Sequence, residues 1–173
     1  MLSMPQFAEQ GFFTPERHWA EIENIMRALS HSGCNVLISL HPRVKIEEYL
    51  YLEDKFDCRI ARERLADLIP AANVFVAQFS STVVWAALCG VPTVVINLYD
   101  WQTSFYDYLQ SVRVITSHQE LVPSINKALT HPSDFSHDWN VLSRDTVFDG
   151  RTTERYWNIL ASTLSSESGQ HAC

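Results

Sequence analysis

The chain has 173 residues, 46% of them apolar and 19% charged, with a formal net charge of −7. That length and make-up suit one globular domain with a real core and exclude a disordered chain, while 13 Lys and Arg spread without a cluster argue against a nucleic-acid surface. No apolar run reaches the ~20 residues of a membrane span, and the start MLSMPQF has no signal-peptide pattern. Cys34, Cys58, Cys89 and Cys173 lack metal-ligand spacing and read as buried free thiols of a cytoplasmic protein.

Leu2 to Met4 is a strand ending at Pro5, followed by a loop from Gln6 to Thr14. With almost nothing ahead of that strand, the chain reads as cut from something larger or lacking a partner domain. Thr14-Pro15-Glu16-Arg17 is a helix start, Thr as N-cap and Pro in the first turn, and Trp19, Ile22, Ile25, Met26 and Leu29 then fall at helical spacing. Ser32-Gly33 ends that helix, and Asn35 to Leu40 is a second strand that delivers the chain to His41-Pro42-Arg43. A helix is expected over Val44 to Asp54, a third strand over Asp57 to Ala61 and a further helix over Arg62 to Ala72. Val74 to Ala77, the turn Gln78 to Ser81, a small-residue segment to Cys89-Gly90 and the β-branched run Pro92 to Ile96 read as strand, turn, helix and strand, a parallel βαβ unit. The aromatic segment LYDWQTSFYDYL reads as a loop and short helix. Val112 to Thr116 is a last strand, and Gln119 to Thr130 a helix with Leu121, Ile125 and Leu129 inward. Beyond Asp134 the pattern is helical with a break at Asp149-Gly150, and residues 162–173 form a polar tail expected to be disordered. The alternation predicts an α/β, Rossmann-like three-layer sandwich over residues 1–161, an open parallel sheet of about six strands covered on both faces.

Ligands of such sheets bind at the carboxyl ends of the strands, near the switch in strand order. His41 and Ser80 each follow a strand directly, so both belong on that rim. The turn Phe79-Ser80-Ser81-Thr82 carries three hydroxyls and no carboxylate ahead of a helix, which suits a phosphate. Pro42 stiffens the strand end that presents His41, and Arg43 adds a fixed positive charge. His41 there can donate to a phosphate or protonate a leaving oxygen, or else serve structurally by holding a loop carbonyl. Tyr99, Asp100, Trp101 and Gln102 could line the same cleft, their aromatics stacking on a base or sugar or packing against a missing domain. The other histidines show no paired ligand spacing, and no GxSxG elbow, Walker loop or GxGxxG occurs. Neither a metal nor a cofactor is called for.

A strand ending in His-Pro, the segment RLADLIPAANVFVAQFSST, then AALCGVPTVV and FDGRTTER, resembles the C-terminal, donor-binding domain of GT-B-fold glycosyltransferases and the related UDP-GlcNAc 2-epimerases. The His-Pro and Ser-Ser/Thr motifs are similar to those of bacterial sialyltransferases, Kdo transferases and CDP-glycerol glycerophosphotransferases. The resemblance implies that His41 with Pro42, and Ser80 with Ser81, hold the phosphates of a CMP- or CDP-linked donor, and that the acceptor-binding domain lies N-terminal to Leu2 or on a partner chain. It implies inverting transfer in surface polysaccharide or glycoconjugate synthesis, with His41 aiding departure of the nucleotide. The helix after the turn reads Val83-Val84-Trp85-Ala86-Ala87, without the acid that many GT-B enzymes carry there. Two further readings stand beside this one: a 2-epimerase-like enzyme working on a UDP-sugar, and a non-catalytic module that supports a partner chain.

Overall fold

The structure is a computed structural model that describes residues 1–99, 104–135, 138, 142 and 150–167. Its strands are β1 (Leu2–Ser3), β2 (Val36–Ser39), β3 (Cys58–Ile60), β4 (Phe75–Ala77), β5 (Thr93–Ile96) and β6 (Val112–Ile115). The α-helices are α1 (Pro15–Ser30), α2 (Tyr51–Phe56), α3 (Leu65–Leu68), α4 (Thr82–Leu88), α5 (Leu121–Thr130) and α6 (Thr152–Glu167). The strands form one six-stranded sheet in the order β3-β2-β1-β4-β5-β6, and every neighbouring pair is parallel. Six parallel strands with helical crossovers are what the sequence pattern predicts. From β1 the chain steps outward through β2 and β3, then returns to the other side of β1 as β4. The loops leaving β1 and β4 therefore part in opposite directions and open a crevice between them.

Compact unit one spans Met1–Asp138. Its helix α1 starts where the sequence places it: the Thr14 hydroxyl accepts from the Arg17 amide at 3.3 Å, and Pro15 occupies the first turn. His18, Ile22, Ile25, Met26 and Leu29 form its buried stripe, each large apolar side chain worth about 1.5–3 kcal/mol of burial. Both β4 and β5 are buried along their whole length, as strands covered on two faces must be.

Several boundaries differ from the pattern, each for a local reason. The helix expected over 44–54 is a 3-10 turn at Ile46–Glu48 followed by α2, which stops at Asp57 in the left-handed conformation. The one expected over 62–72 is only α3 and a 3-10 turn at Ile69–Ala71, because Pro70 has no N–H to continue it. Leu129, expected inward, is exposed: the stripe of α5 is Leu121, Ser124, Ile125 and Ala128, and one further residue turns about 100° away from it. Of the thiols expected to be buried, Cys58 is, Cys34 is half-buried, and Cys89 is exposed just after α4.

Unit two spans Trp139–Cys173 and carries α6. Gly150, at φ 77°, precedes it, and the Arg151 guanidinium grips Glu154 with contacts of 2.6 and 2.8 Å. The helix continues past Ala161 to Glu167, and the rest of the expected tail, residues 168–173, lies outside the described residues.

Candidate functional site

A cleft of about 680 Å³ opens at the carboxyl ends of the strands, lined by the segments that leave β1, β2, β3 and β4 and by Trp85 of α4. This is the crevice at the switch in strand order.

His41 enters it from the end of β2. Its carbonyl accepts from the Val44 amide at 3.1 Å, closing a turn in which Pro42 sits at the second position, where its fixed φ is preset. The Arg43 amide donates to His41 Nδ1 at 3.2 Å. Nδ1 must then carry a lone pair, so the ring proton sits on Nε2, the nitrogen left for a ligand. His41 and Pro42 line the cleft; Arg43, exposed beside them, is not among the lining residues.

Ser80, Ser81 and Thr82 line the cleft at the end of β4, with Phe79. The Ser80 amide donates to the Tyr106 hydroxyl at 3.0 Å, and that hydroxyl donates back to the Ser80 carbonyl at 3.1 Å. Burial raises the Tyr106 pKa, so the phenol keeps the proton this bond requires. The Ser80 hydroxyl in turn accepts from the Thr82 amide at 3.2 Å and the Thr82 hydroxyl at 2.9 Å. Both bonds take lone pairs, which leaves the Ser80 O–H as a donor. With Thr82 as its hydrogen-bond partner and no base bonded to it among the described residues, Ser80 is placed as a donor and not as an activated nucleophile. The Phe79 ring packs on Tyr106 with centroids 5.5 Å apart.

Gln78, 5% exposed, ties the rim together. Its Oε1 accepts from the Gln6 amide at 3.2 Å, while Nε2 donates to Gln10 Oε1 at 3.3 Å and to the Tyr99 hydroxyl at 2.5 Å. Tyr99 is thereby engaged by Gln78, and its ring stacks on Phe12 at 4.9 Å and meets Phe7 and Phe13 edge-on. It is not among the lining residues, and burial pushes its pKa up to about 12. Asp100, Trp101 and Gln102 lie outside the described residues.

On the β3 side the lining includes Arg62, Glu63 and Arg64. Glu63 is the single carboxylate among the described lining residues, so the cleft is locally cationic in an acidic chain. Among the described residues no group of His, Cys, Asp and Glu could hold a metal, and no helix is long and apolar enough to cross a membrane.

No protein-family model and no curated protein sequence matches the chain. Among solved structures it is similar to Methanocaldococcus jannaschii UDP-GlcNAc 2-epimerase in complex with UDP-GlcNAc and UDP, with a TM-score of 0.64 and 16% sequence identity. The match covers 93% of this chain and 44% of that one. The fold is Rossmann-like, of the GT-B type. Within this GT-B-type fold the residues singled out from the sequence divide cleanly. His41, Pro42, Phe79, Ser80, Ser81 and Thr82 come together in the cleft, while Arg43 stands beside it and Tyr99 beneath its rim. Sequence reasoning missed Gln6, Gln10 and Gln78, the Tyr106 hydroxyl and the Arg62 to Arg64 wall. The glutamine bonds join residues 72 and 68 positions apart, which no local pattern announces.

Proposed function

We propose that the chain is the nucleotide-sugar-binding half of a GT-B-type glycosyltransferase in surface polysaccharide or glycoconjugate synthesis, taking a CMP- or CDP-linked donor. The observation that carries this reading is the convergence of His41, with its Nε2 proton, and the Ser80 and Ser81 hydroxyls in one cleft at the switch in strand order. His41 and Ser80 are held by bonds already made before any ligand arrives, and the three groups suit the phosphate of a nucleotide. In transfer, an acceptor hydroxyl attacks the anomeric carbon as its bond to the phosphate oxygen breaks, and the hydroxyl proton would pass to a base on the acceptor-binding domain. The donors would stabilise the charge that gathers on that leaving phosphate, with Nε2 of His41 donating to it. The chain spans 44% of the epimerase chain it matches, and an acceptor-binding domain, N-terminal or on a partner chain, would supply the other wall.

That structural neighbour also favours a second reading, a 2-epimerase-like enzyme acting on a UDP-sugar. A thermal-shift panel with CMP, CDP, UMP, UDP and GDP separates the two. A nucleotide at ~100 times its dissociation constant adds about 2.7 kcal/mol of stability, a shift of several degrees in a chain of this size. Selective stabilisation by a cytidine nucleotide supports the transferase, and selective UDP binding supports the epimerase-like enzyme. His41→Ala and Ser80→Ala should each weaken the nucleotide selected by about 1–3 kcal/mol, as expected for a lost hydrogen bond to a charged group. Unchanged affinity in both variants, measured by titration calorimetry, removes the phosphate assignment.

A further inference from the structure

Trp85 lines the cleft yet is 43% exposed, and its side chain makes no ring contact or hydrogen bond among the described residues. It is not needed to seat its helix. α4 is held down by Val83, Ala86 and Ala87, all fully buried, on the opposite stripe. Trp85 instead stands four residues after Ser81 on the face that looks into the cleft, about 6 Å along the helix axis. The other large aromatic in the described lining, Phe79, already packs on Tyr106 and Phe105. A large indole left open to solvent inside a concave, cationic site loses the burial it would gain elsewhere, and a flat ring laid on it recovers that burial.

We propose that Trp85 is the platform on which the nucleoside end of the ligand stacks, one helical turn from the phosphate held by Ser80 and Ser81. The inference rests on the nucleotide-binding reading above and gives it a direction, with base and pentose lying along α4. Stacking on an indole tolerates any base, because every base has a π-face. Discrimination among bases then falls to edge contacts, for which Arg62 and Arg64 offer donors and Glu63 an acceptor in the same cleft.

The test is a set of calorimetric titrations of wild type, Trp85→Ala and Trp85→Phe with CMP, CDP, UMP and UDP, with ribose 5-phosphate, and with inorganic pyrophosphate. Trp85→Ala should weaken the preferred nucleotide by about tenfold or more, and Trp85→Phe by much less. Pyrophosphate, which has no ring, should bind all three proteins alike, and unchanged melting temperatures without ligand would show that each variant folds. If ribose 5-phosphate loses the same factor as the nucleotide, the pentose is the stacked ring. If it is indifferent to Trp85→Ala, the base is; either result supports the assignment. Equal losses for pyrophosphate and nucleotide would overturn it, by making Trp85 a prop for the phosphate seat. So would a nucleotide affinity that Trp85→Ala leaves unchanged, while leaving the nucleotide reading intact. A folded wild type that binds none of the nucleotides overturns both.

Discussion

Ser80 can offer its hydroxyl proton to a ligand because Thr82 occupies the oxygen's lone pairs, while Tyr106 holds the backbone beneath it. One phenol accepts from the Ser80 amide and donates to the Ser80 carbonyl, in a partly buried position. Tyr106→Phe removes both bonds at once and leaves the Ser80 amide without an acceptor, while the Ser80 carbonyl keeps only the Val83 amide at 3.1 Å. It should cost about 1–3 kcal/mol in urea unfolding and weaken nucleotide binding as well, since the turn loses its fixed shape. A variant as stable as wild type would show that water replaces the phenol. His18 invites a different experiment. It is 2% exposed, its Nδ1 accepts from the Ala8 amide at 3.4 Å, and its Nε2 meets the Tyr49 hydroxyl at 3.4 Å. Burial lowers its pKa, against the opposing pull of the Glu9 carboxylate 4.0 Å away. The unfolded histidine takes up a proton near the ordinary value of about 6.5, and the folded one resists to lower pH. The stability this difference contributes is fully present above about pH 6.5 and is lost as the pH falls from there toward the depressed folded value. The unfolding free energy should therefore decline between pH 7 and pH 5, and His18→Gln should flatten that decline in parallel urea titrations.

At the scale of elements, α1 gives the plainest account of what a sequence announces. Thr14, Pro15 and the stripe from Ile22 to Leu29 carry cap, first turn and buried face in one local stretch, and all three are found in place. Thr14→Ala should lower stability by about 1 kcal/mol, the usual worth of an N-cap hydroxyl, whereas Thr14→Ser should lower it far less. Denaturant midpoints at constant slope would measure both. β2 was legible for the same reason, a short apolar run stopped by His41-Pro42, and that is why His41 could be placed on the rim unaided. The helix expected over 62–72 breaks off because Pro70 outweighs the apolar spacing of Leu65, Leu68 and Ile69. Tyr99 is another kind of miss. An aromatic after a strand looks alike whether it will face a ligand or pack on Phe12, and only the fold of the loop after β1 decides.

For the molecule as a whole, the parallel sheet follows from alternation, but its order does not. Nothing local in the sequence tells the chain to return to the far side of β1 after β3, yet that return opens the cleft. Closure of unit one at its C-terminal end is equally non-local. Asp138, 2% exposed, accepts from the Gln110 amide at 2.9 Å, from the Ser111 amide at 3.0 Å and from the Ser111 hydroxyl, just ahead of β6. Asp138→Ala would leave two amides without their acceptor and should cost about 2–3 kcal/mol of global stability, with Asp138→Asn recovering part of it. Equal melting temperatures for wild type and Asp138→Ala would dismiss the aspartate as a strut.

The Gln78 amide commits both N–H donors and one oxygen lone pair to three residues, Gln6 and Gln10 from the loop after β1 and Tyr99 from the loop after β5. Three rim segments thus share one linchpin, and none can swing out alone without stripping a buried amide. The Gln6 amide proton, held by an acceptor 72 residues away, is accordingly a clock for the whole rim: it can exchange with solvent no faster than β4 lets go of the loop after β1.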